Sequence, residues 1–373
     1  MHARGLVRHP GPGPGFWKET SGMQGIPGSG ASRKTVVAAA HVAAPPFDLR
    51  GGVAKAVEVI ADAARTGARL VVFPESFIPG FPIWAGLYRP VDAHRFFRRF
   101  AENALLSDRG PIGEIAAAAA RHRIFVSLGF CEVSPTSPGC MWNSQALISD
   151  TGEIVNLHRK LVPTFYEQLS WNRGDAAGLR VVQTSLARIG GLICGENNNP
   201  LARYVLMSEG EEIHCSCYPA IWPFRNPLGG APYDLKDAIR FRTAAHAFEA
   251  KVYCVVAAGT LDEPTIAAMS EGDEEVEAMM RACPRAASMI VGPTGELLAS
   301  RQGDEEGLIL AEIDLSVLVE LKQHHDMAGY YNRHELFSLR VRRERPRLLE
   351  SLDAAPSPFD GETELASFGA AAE

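Results

Sequence analysis

The sequence predicts an α/β fold, and three observations carry that prediction. The apolar run TVVAAAHV (Thr35 to Val42) has strand length, GGVAKAVEVIADAARTGA follows it with apolar residues at helical spacing, and RLVVFPE is a second strand-like run. Strand, helix and strand within about forty residues form a βαβ unit, which places a buried parallel pair early in the fold.

The rest of the chain continues the alternation. A helix is expected near Gly110 to Arg121, then strands at IFVSLGFCEV and NSQALISD, with a hairpin turn at Asp150, Thr151 and Gly152. The segment ARIGGLICGENNNPLARYVLMSEGEE reads as a strand ending at Cys194. A helix then starts at Pro200, capped by Asn198 or Asn199. A helix near Asp234 to Ala250 precedes the strand KVYCVVAAG. SMIVGPTGELLASRQGDEEGLILAEID reads as three strands of antiparallel character, with a turn at Pro293 to Gly295 and an acidic loop. With no internal repeat and no proline-rich linker between residues 34 and 340, one α/β domain is expected. Residues 1–33 are Gly/Pro-rich and are expected to form a disordered arm; residues 341–373 are expected to form a flexible tail.

Composition narrows the function classes. The 373 residues can bury a sizeable core, and the net charge of −7 comes from interspersed acids and bases without a basic patch, so a nucleic-acid partner is not expected. No apolar run reaches the ~20 residues that span a bilayer, and the N-terminal segment lacks the apolar core of a secretory signal. No membrane partner is therefore expected, and a cytoplasmic location is. The seven cysteines lack paired metal-finger spacing and read as reduced thiols. His324 and His325 are adjacent, and adjacent side chains diverge in both helix and strand, so neither they nor another motif predicts a metal. No cofactor motif, phosphate loop or serine elbow is present.

Three segments carry chemistry. Cys194 falls where a strand bends into a helix, a place where free backbone N–H groups and the helix N-terminus favour a thiolate and a developing anion. Glu75 follows an otherwise apolar strand, and Lys160 lies between a strand and a proline. For an isolated glutamate or lysine a surface role is commoner, and for an isolated cysteine a buried structural one. An acid and a base at strand ends nevertheless suit a site above a sheet. Trp84, Tyr88, Trp171, Tyr218 and Trp222 occur near these segments as possible pocket walls, with core packing an equally good reading of each. Trp142 and Asn143 read as structural neighbours only, and His158 and Arg159 could help to position Lys160.

The motifs FPESFIPGFP, HRKLVPTFYE and CGENNNPLARY resemble the three signature regions of the nitrilase branch of the carbon-nitrogen hydrolases, in the same order. The similarity extends over roughly residues 34 to 335, through WNSQALISDTGEIV and MAGYYNRHELF. This resemblance implies a four-layer α-β-β-α sandwich. It also implies Cys194 as nucleophile, Glu75 as general base, Lys160 as the cation that stabilises the tetrahedral intermediate, and Glu167 as an additional carboxylate. The nitrilase pattern commonly has tryptophan after the cysteine; here Gly195 stands there and could still offer its backbone N–H to an oxyanion. The implied reaction converts a small organic nitrile to carboxylic acid and ammonia. The alternatives are an amidase or cyanide-processing relative with the same site, or a non-catalytic assembly protein of the same fold. A homo-oligomer, dimeric or spiral, is also implied, with the segment from about Phe224 to Leu235 and the tail after Arg340 as expected interface elements.

Overall fold

Alternate residues of the first strand point to opposite faces, and both faces are covered, which is why the run is apolar without interruption. The computed structural model describes residues 33–224, 229–230 and 232–345. The expected N-terminal arm, apart from Arg33, and the tail beyond residue 345 lie outside these.

In chain order the elements begin with β1 (Lys34–His41), α1 (Leu49–Arg65), β2 (Ala68–Val72), α2 (Trp84–Leu87), α3 (His94–Glu102) and α4 (Ile112–His122). There follow β3 (Phe125–Val133), β4 (Met141–Ile148), β5 (Ile154–Arg159), β6 (Val182–Gln183), β7 (Arg188–Ile193), α5 (Pro200–Ser208) and β8 (Ile213–Tyr218). The last group is α6 (Leu235–Ala250), β9 (Tyr253–Ala258), α7 (Glu263–Ser270), α8 (Glu274–Ala282), β10 (Ala287–Val291), β11 (Leu297–Gln302), β12 (Gly307–Asp314) and α9 (Val317–His324).

The strands form two six-stranded sheets, ordered β12-β1-β2-β3-β4-β5 and β11-β10-β9-β8-β7-β6. In the first, β1, β2 and β3 run parallel and their neighbours are antiparallel. The second repeats this pattern, with β7, β8 and β9 parallel. A topological repeat is thus present where the sequence shows none. The expected antiparallel trio near the C-terminus divides between sheets. β10 pairs with β11, whereas β12 crosses over and pairs with β1 from Lys34↔Asp314 to His41↔Gly307. The edge of β1 needs a partner, and β12 satisfies its backbone groups.

Between the sheets Val37, Leu70, Val72 and Phe125 meet Ile189, Ile213, Val255 and Ile290. On the outer face of the first sheet, Ala38, Val71 and Val126 pack against Val53 and Ile60 of α1 and Ile115 of α4. On the other outer face, Val256 packs against Ile239 and Ala247 of α6, and Leu192 against Val205 and Leu206 of α5. The result is four layers, α-β-β-α. Strand register follows from this, because a one-residue slip would exchange the inner and outer sets.

Beyond the expected end of the domain, Arg343 pairs with Glu209 and Arg345 with Asp175 at 3.0 Å, so residues 341–345 lie along the body. No helix among the described residues is long and apolar enough to cross a membrane.

Candidate active site

Three strand ends supply the site. Glu75 lies three residues beyond β2, Lys160 directly follows β5, and Cys194 directly follows β7. The Glu75 loop is tied across the sandwich by its backbone N–H, which donates to the carbonyl of Tyr218 at the end of β8 (3.3 Å). Cys194 adopts φ +50°, a left-handed conformation uncommon for a residue with a side chain, and opens a 3-10 turn over Cys194–Asn198. Asn199 then caps α5, accepting from Leu201 N (3.0 Å) and Ala202 N (3.4 Å), with Pro200 in the first helical position. The thiol thus stands at the strand-to-helix corner.

Lys160, from a separate segment, holds the carboxylates together. Its Nζ donates to Glu75 Oε1 at 2.8 Å and to Glu167 Oε2 at 2.6 Å, and all three side chains are fully buried. One acidic oxygen of each glutamate and the Cys194 sulfur lie within 4.8 Å of one another. Glu167 Oε2 also accepts from Thr164 N at 2.8 Å. The other oxygens, Glu75 Oε2 and Glu167 Oε1, are buried with no hydrogen-bond partner among the described residues. Both can take up a proton.

Two carboxylates share one ammonium. Burial works against the charged lysine, but Glu167 and Glu75 outweigh it and hold the Lys160 ammonium well above its ordinary pKa. Burial pushes Glu167 up to about 7, with the charge of Glu75 adding to it and Lys160 opposing. The Cys194 thiol is also raised well above its usual range, first by burial and then by Glu75, while Lys160 pulls the other way. The helix terminus was expected to favour a thiolate, and burial and Glu75 act in the opposite direction. The helix terminus and the ammonium are present, but desolvation and the adjacent carboxylate keep the proton on sulfur.

The walls of the site contain two residues whose importance the sequence reading missed. Asn143, expected to be structural only, donates from Nδ2 to Glu75 Oε1 at 2.7 Å while its own carbonyl accepts from Lys160 N at 2.8 Å. Its alternation on β4 opposite β5 could have signalled this. Glu196 ties the lysine segment to the cysteine segment. Its carboxylate accepts from Leu161 N (2.5 Å) and Ile193 N (2.9 Å) and bonds His158 Nε2 (2.9 Å). Despite burial, His158 and these backbone donors hold its carboxyl below the usual range. Arg159 forms a fork on Glu132 (2.8 and 2.6 Å) and lies over the Trp142 ring. His158 and Arg159 therefore fix the strand that ends at Lys160.

The aromatic candidates separate into different places. Trp84 stacks with Phe96 in an aromatic core that also holds Trp171, whose Nε1 donates to Cys131 Sγ at 3.3 Å. Tyr88 donates its hydroxyl to the carbonyls of Met269 and Ser270. Tyr218 packs in the same buried cluster as Cys194. The fifth candidate, Trp222, lines a cavity of about 660 Å³ together with Leu87, Phe165, Tyr166, Phe224 and Met279, among others. Tyr166, next to Glu167, stacks on Trp222 with ring centroids 4.4 Å apart. Gly195 faces Thr164. A Cβ at Gly195 would lie 2.8 Å from Thr164 Oγ1, so a larger residue there requires the Thr164 side chain to shift.

The histidine pair at 324 and 325 behaves differently from the expectation of divergent rings. Their ring centroids are 4.4 Å apart at 80°. α9 ends at His324, and His325 turns to an extended conformation (φ −145°, ψ 112°), so neither the helical nor the strand rule governs the pair.

Four layers enclosing a thiol, two carboxylates and an ammonium define a class of C–N bond hydrolase, and comparison with known proteins agrees. The carbon-nitrogen hydrolase family profile matches residues 36–323, and the chain belongs to that family. A nitrilase from Paraburkholderia phymatum is 34% identical over 85% of this chain and 89% of that protein. A cyanide hydratase from Botryotinia fuckeliana is 34% identical over 84% of this chain and 85% of its own length. These relatives place the chain in the nitrilase branch. The crystal structure of a carbon-nitrogen hydrolase from Helicobacter pylori G27 superimposes with a TM-score of 0.61 at 19% identity, covering 78% of this chain and 93% of that one, and shows the shared fold.

Proposed function

We propose that the protein is a nitrilase that converts an organic nitrile to its carboxylic acid and ammonia, with Cys194 as nucleophile. The observation that supports this most directly is the convergence of the Cys194 sulfur with the Glu75 and Glu167 carboxylates within 4.8 Å, both glutamates being held by Lys160.

Because the resting group is a thiol, attack is coupled to proton transfer. Glu75 takes the proton from Sγ as sulfur bonds to the nitrile carbon. One C–N π bond breaks and the nitrogen is protonated, giving the thioimidate. Water adds next, with Glu75 accepting its proton and the nitrogen gaining another. The tetrahedral carbon then expels ammonia and leaves a thioester. A second water hydrolyses it to acid and restores the thiol, so each nitrile consumes two waters. Lys160 holds developing negative charge in a water-poor site, and the raised carboxyl of Glu167 carries a proton toward the departing ammonia. The N–H of Gly195 is a further donor to the tetrahedral oxygen. Should the tetrahedral species expel the thiol instead, the product is an amide.

The apolar cavity lined by Trp222 and by Tyr166, the sequence neighbour of Glu167, is roomy enough for an organic side chain on the nitrile. We also infer self-association through helical faces, because Leu201 on α5 and Phe241 and Phe248 on α6 are 60%, 71% and 51% exposed. The interface segment expected near residues 224–235 falls partly outside the described residues. The seven free thiols fit a reducing compartment such as the cytoplasm.

A panel of nitriles and amides assayed for ammonia tests the reading. Ammonia from nitriles supports it, whereas activity confined to amides makes the protein an amidase. A light-scattering mass equal to one chain rejects self-association.

A further inference from the structure

Tied to the Cys194 backbone lies a buried polar chain that the mechanism above does not use. His246 Nε2 lies 2.7 Å from Glu211 Oε2, and Glu211 Oε1 lies 2.8 Å from His214 Nδ1. His214 Nε2 lies 2.9 Å from Asn197 Oδ1, and Asn197 Nδ2 donates to the carbonyls of Leu192 (3.2 Å) and Cys194 (3.0 Å). All four side chains are buried. Gly190 makes room for the carboxylate: a Cβ there would lie 2.2 Å from Glu211 Oε1.

The orientation of each group follows from its neighbours. Two backbone carbonyls can only accept, so the Asn197 amide nitrogen must face them and its oxygen must face His214. His214 Nε2 therefore donates. Its Nδ1 faces a carboxylate, so the ring bridges two acceptors, and a flipped Asn197 would set oxygen against two oxygens. Burial raises the Glu211 carboxyl, but His214 and His246 outweigh it and bring it down to about 2. Burial and then His214 lower His246 to about 4, which leaves it a neutral donor through Nε2. The three groups could otherwise suggest a cation site, since their ligand atoms lie within 4.8 Å of one another. Both Glu211 oxygens are already taken by hydrogen bonds to the two imidazoles, and His214 Nε2 is taken by Asn197.

We propose that Asn197 is a positioning residue which, oriented by the His246–Glu211–His214 chain, clamps the carbonyls on either side of Ile193 and holds Cys194 in its left-handed conformation with the thiol toward Glu75 and Lys160. The left-handed φ of Cys194 is unfavourable for a residue with a side chain and persists only where surroundings enforce it. The paired bonds from Asn197 supply that restraint at the reacting residue itself. This inference rests on Cys194 being the reactive thiol.

The test uses the full-length protein and two readouts, steady-state nitrile hydrolysis and the rate at which iodoacetamide alkylates Cys194, followed by mass spectrometry of its peptide. Asn197→Ala should lower kcat and the alkylation rate by about tenfold or more, with KM within about threefold, in a protein that still melts cooperatively. Retention of both rates within twofold would overturn the proposal. Two variants of His214 separate positioning from general stability. His214→Gln can still donate to Asn197 from the place of Nε2 and should stay near wild type in alkylation rate, while His214→Asn keeps only the Glu211 side and should behave like Asn197→Ala. The reverse order, or equal losses, would also overturn the proposal, even if Asn197→Ala does not fold. Alkylation needs no nitrile, so an unchanged thiol in these variants counts against the clamp alone, whereas nitrile turnover by Cys194→Ala would count against the nucleophile.

Discussion

The side-chain amide of Asn143 donates to the same oxygen of Glu75 that receives the Lys160 ammonium, from a distance of 2.7 Å. Two donors on one oxygen fix the direction of the carboxylate and leave Oε2 with no partner among the described residues. Removing a hydrogen bond to a charged, buried acceptor costs about 1.5–3 kcal/mol. Asn143→Ala should therefore lower kcat/KM by roughly 10- to 100-fold. Trp142→Leu, which removes only the surface under Arg159, should lower it far less. Steady-state kinetics on the two variants checks this, and equal losses would return Asn143 to a purely structural role.

Glu167 gives the site a pH signature in stability. Its folded pKa is raised to about 7 by burial, above the ordinary carboxyl value of 4.5. The folded state therefore binds more protons than the unfolded one between these values, and the slope of unfolding free energy with pH is negative there. The contribution is fully present below about pH 4.5 and is lost as the pH rises through about 7. The difference in Tm between wild type and Glu167→Gln should accordingly shrink in favour of the variant as the pH rises from 5 to about 7.5, then level off. A difference that grows in favour of wild type over that interval would show a depressed carboxyl instead. Because Glu167 and Glu75 share Lys160, the step belongs to the pair.

Gly195 and Thr164 should couple. A Cβ at residue 195 would meet Thr164 Oγ1 at 2.8 Å, so Gly195→Ala displaces the Thr164 side chain, whose loop carries Glu167. Activity should fall at least about tenfold, on the scale of 1–3 kcal/mol for overpacking. Adding Thr164→Ala removes the obstructing oxygen and should recover most of it. A double-mutant cycle measures the coupling, and additive losses would mean that the two side chains do not oppose each other.

Much of the layered fold was legible because its signals are local. The run around Val37 could only be a strand buried on both faces, and the caps at Asn199 and Pro200 specify where α5 begins. The partner of β12 was not legible, since the same apolar pattern suits a hairpin with β11 or the distant edge of β1. Glu75, Lys160 and Cys194 could be singled out from strand ends and their resemblance to known motifs. Asn143 left only the faint signal of its place on β4, and Glu196 and the chain from His246 to Asn197 left none, because each depends on residues from different strands meeting in space. Local sequence likewise gives the helix terminus that favours a thiolate but not the depth of burial that opposes it.

The cavity wall should govern substrate choice. Trp222 lines the cavity and supports the Tyr166 ring, so Trp222→Ala opens the apolar side of the pocket. For a bulky apolar nitrile, KM should rise about tenfold, in line with 1–3 kcal/mol for lost contacts in such pockets, with a smaller change in kcat. A short aliphatic nitrile should be affected less. Kinetics on the two substrates decides, and an equal change in both would place the substrate elsewhere.

The central claim is that the sulfur of Cys194 becomes covalently joined to the substrate carbon. The most direct measurement is intact and peptide mass spectrometry after rapid acid quench of protein turning over a nitrile, with Cys194→Ala as control. A substrate-sized adduct on the Cys194 peptide, together with loss of ammonia release in the folded alanine variant, is the predicted result. An adduct on another cysteine, or an alanine variant that continues to release ammonia, would contradict it.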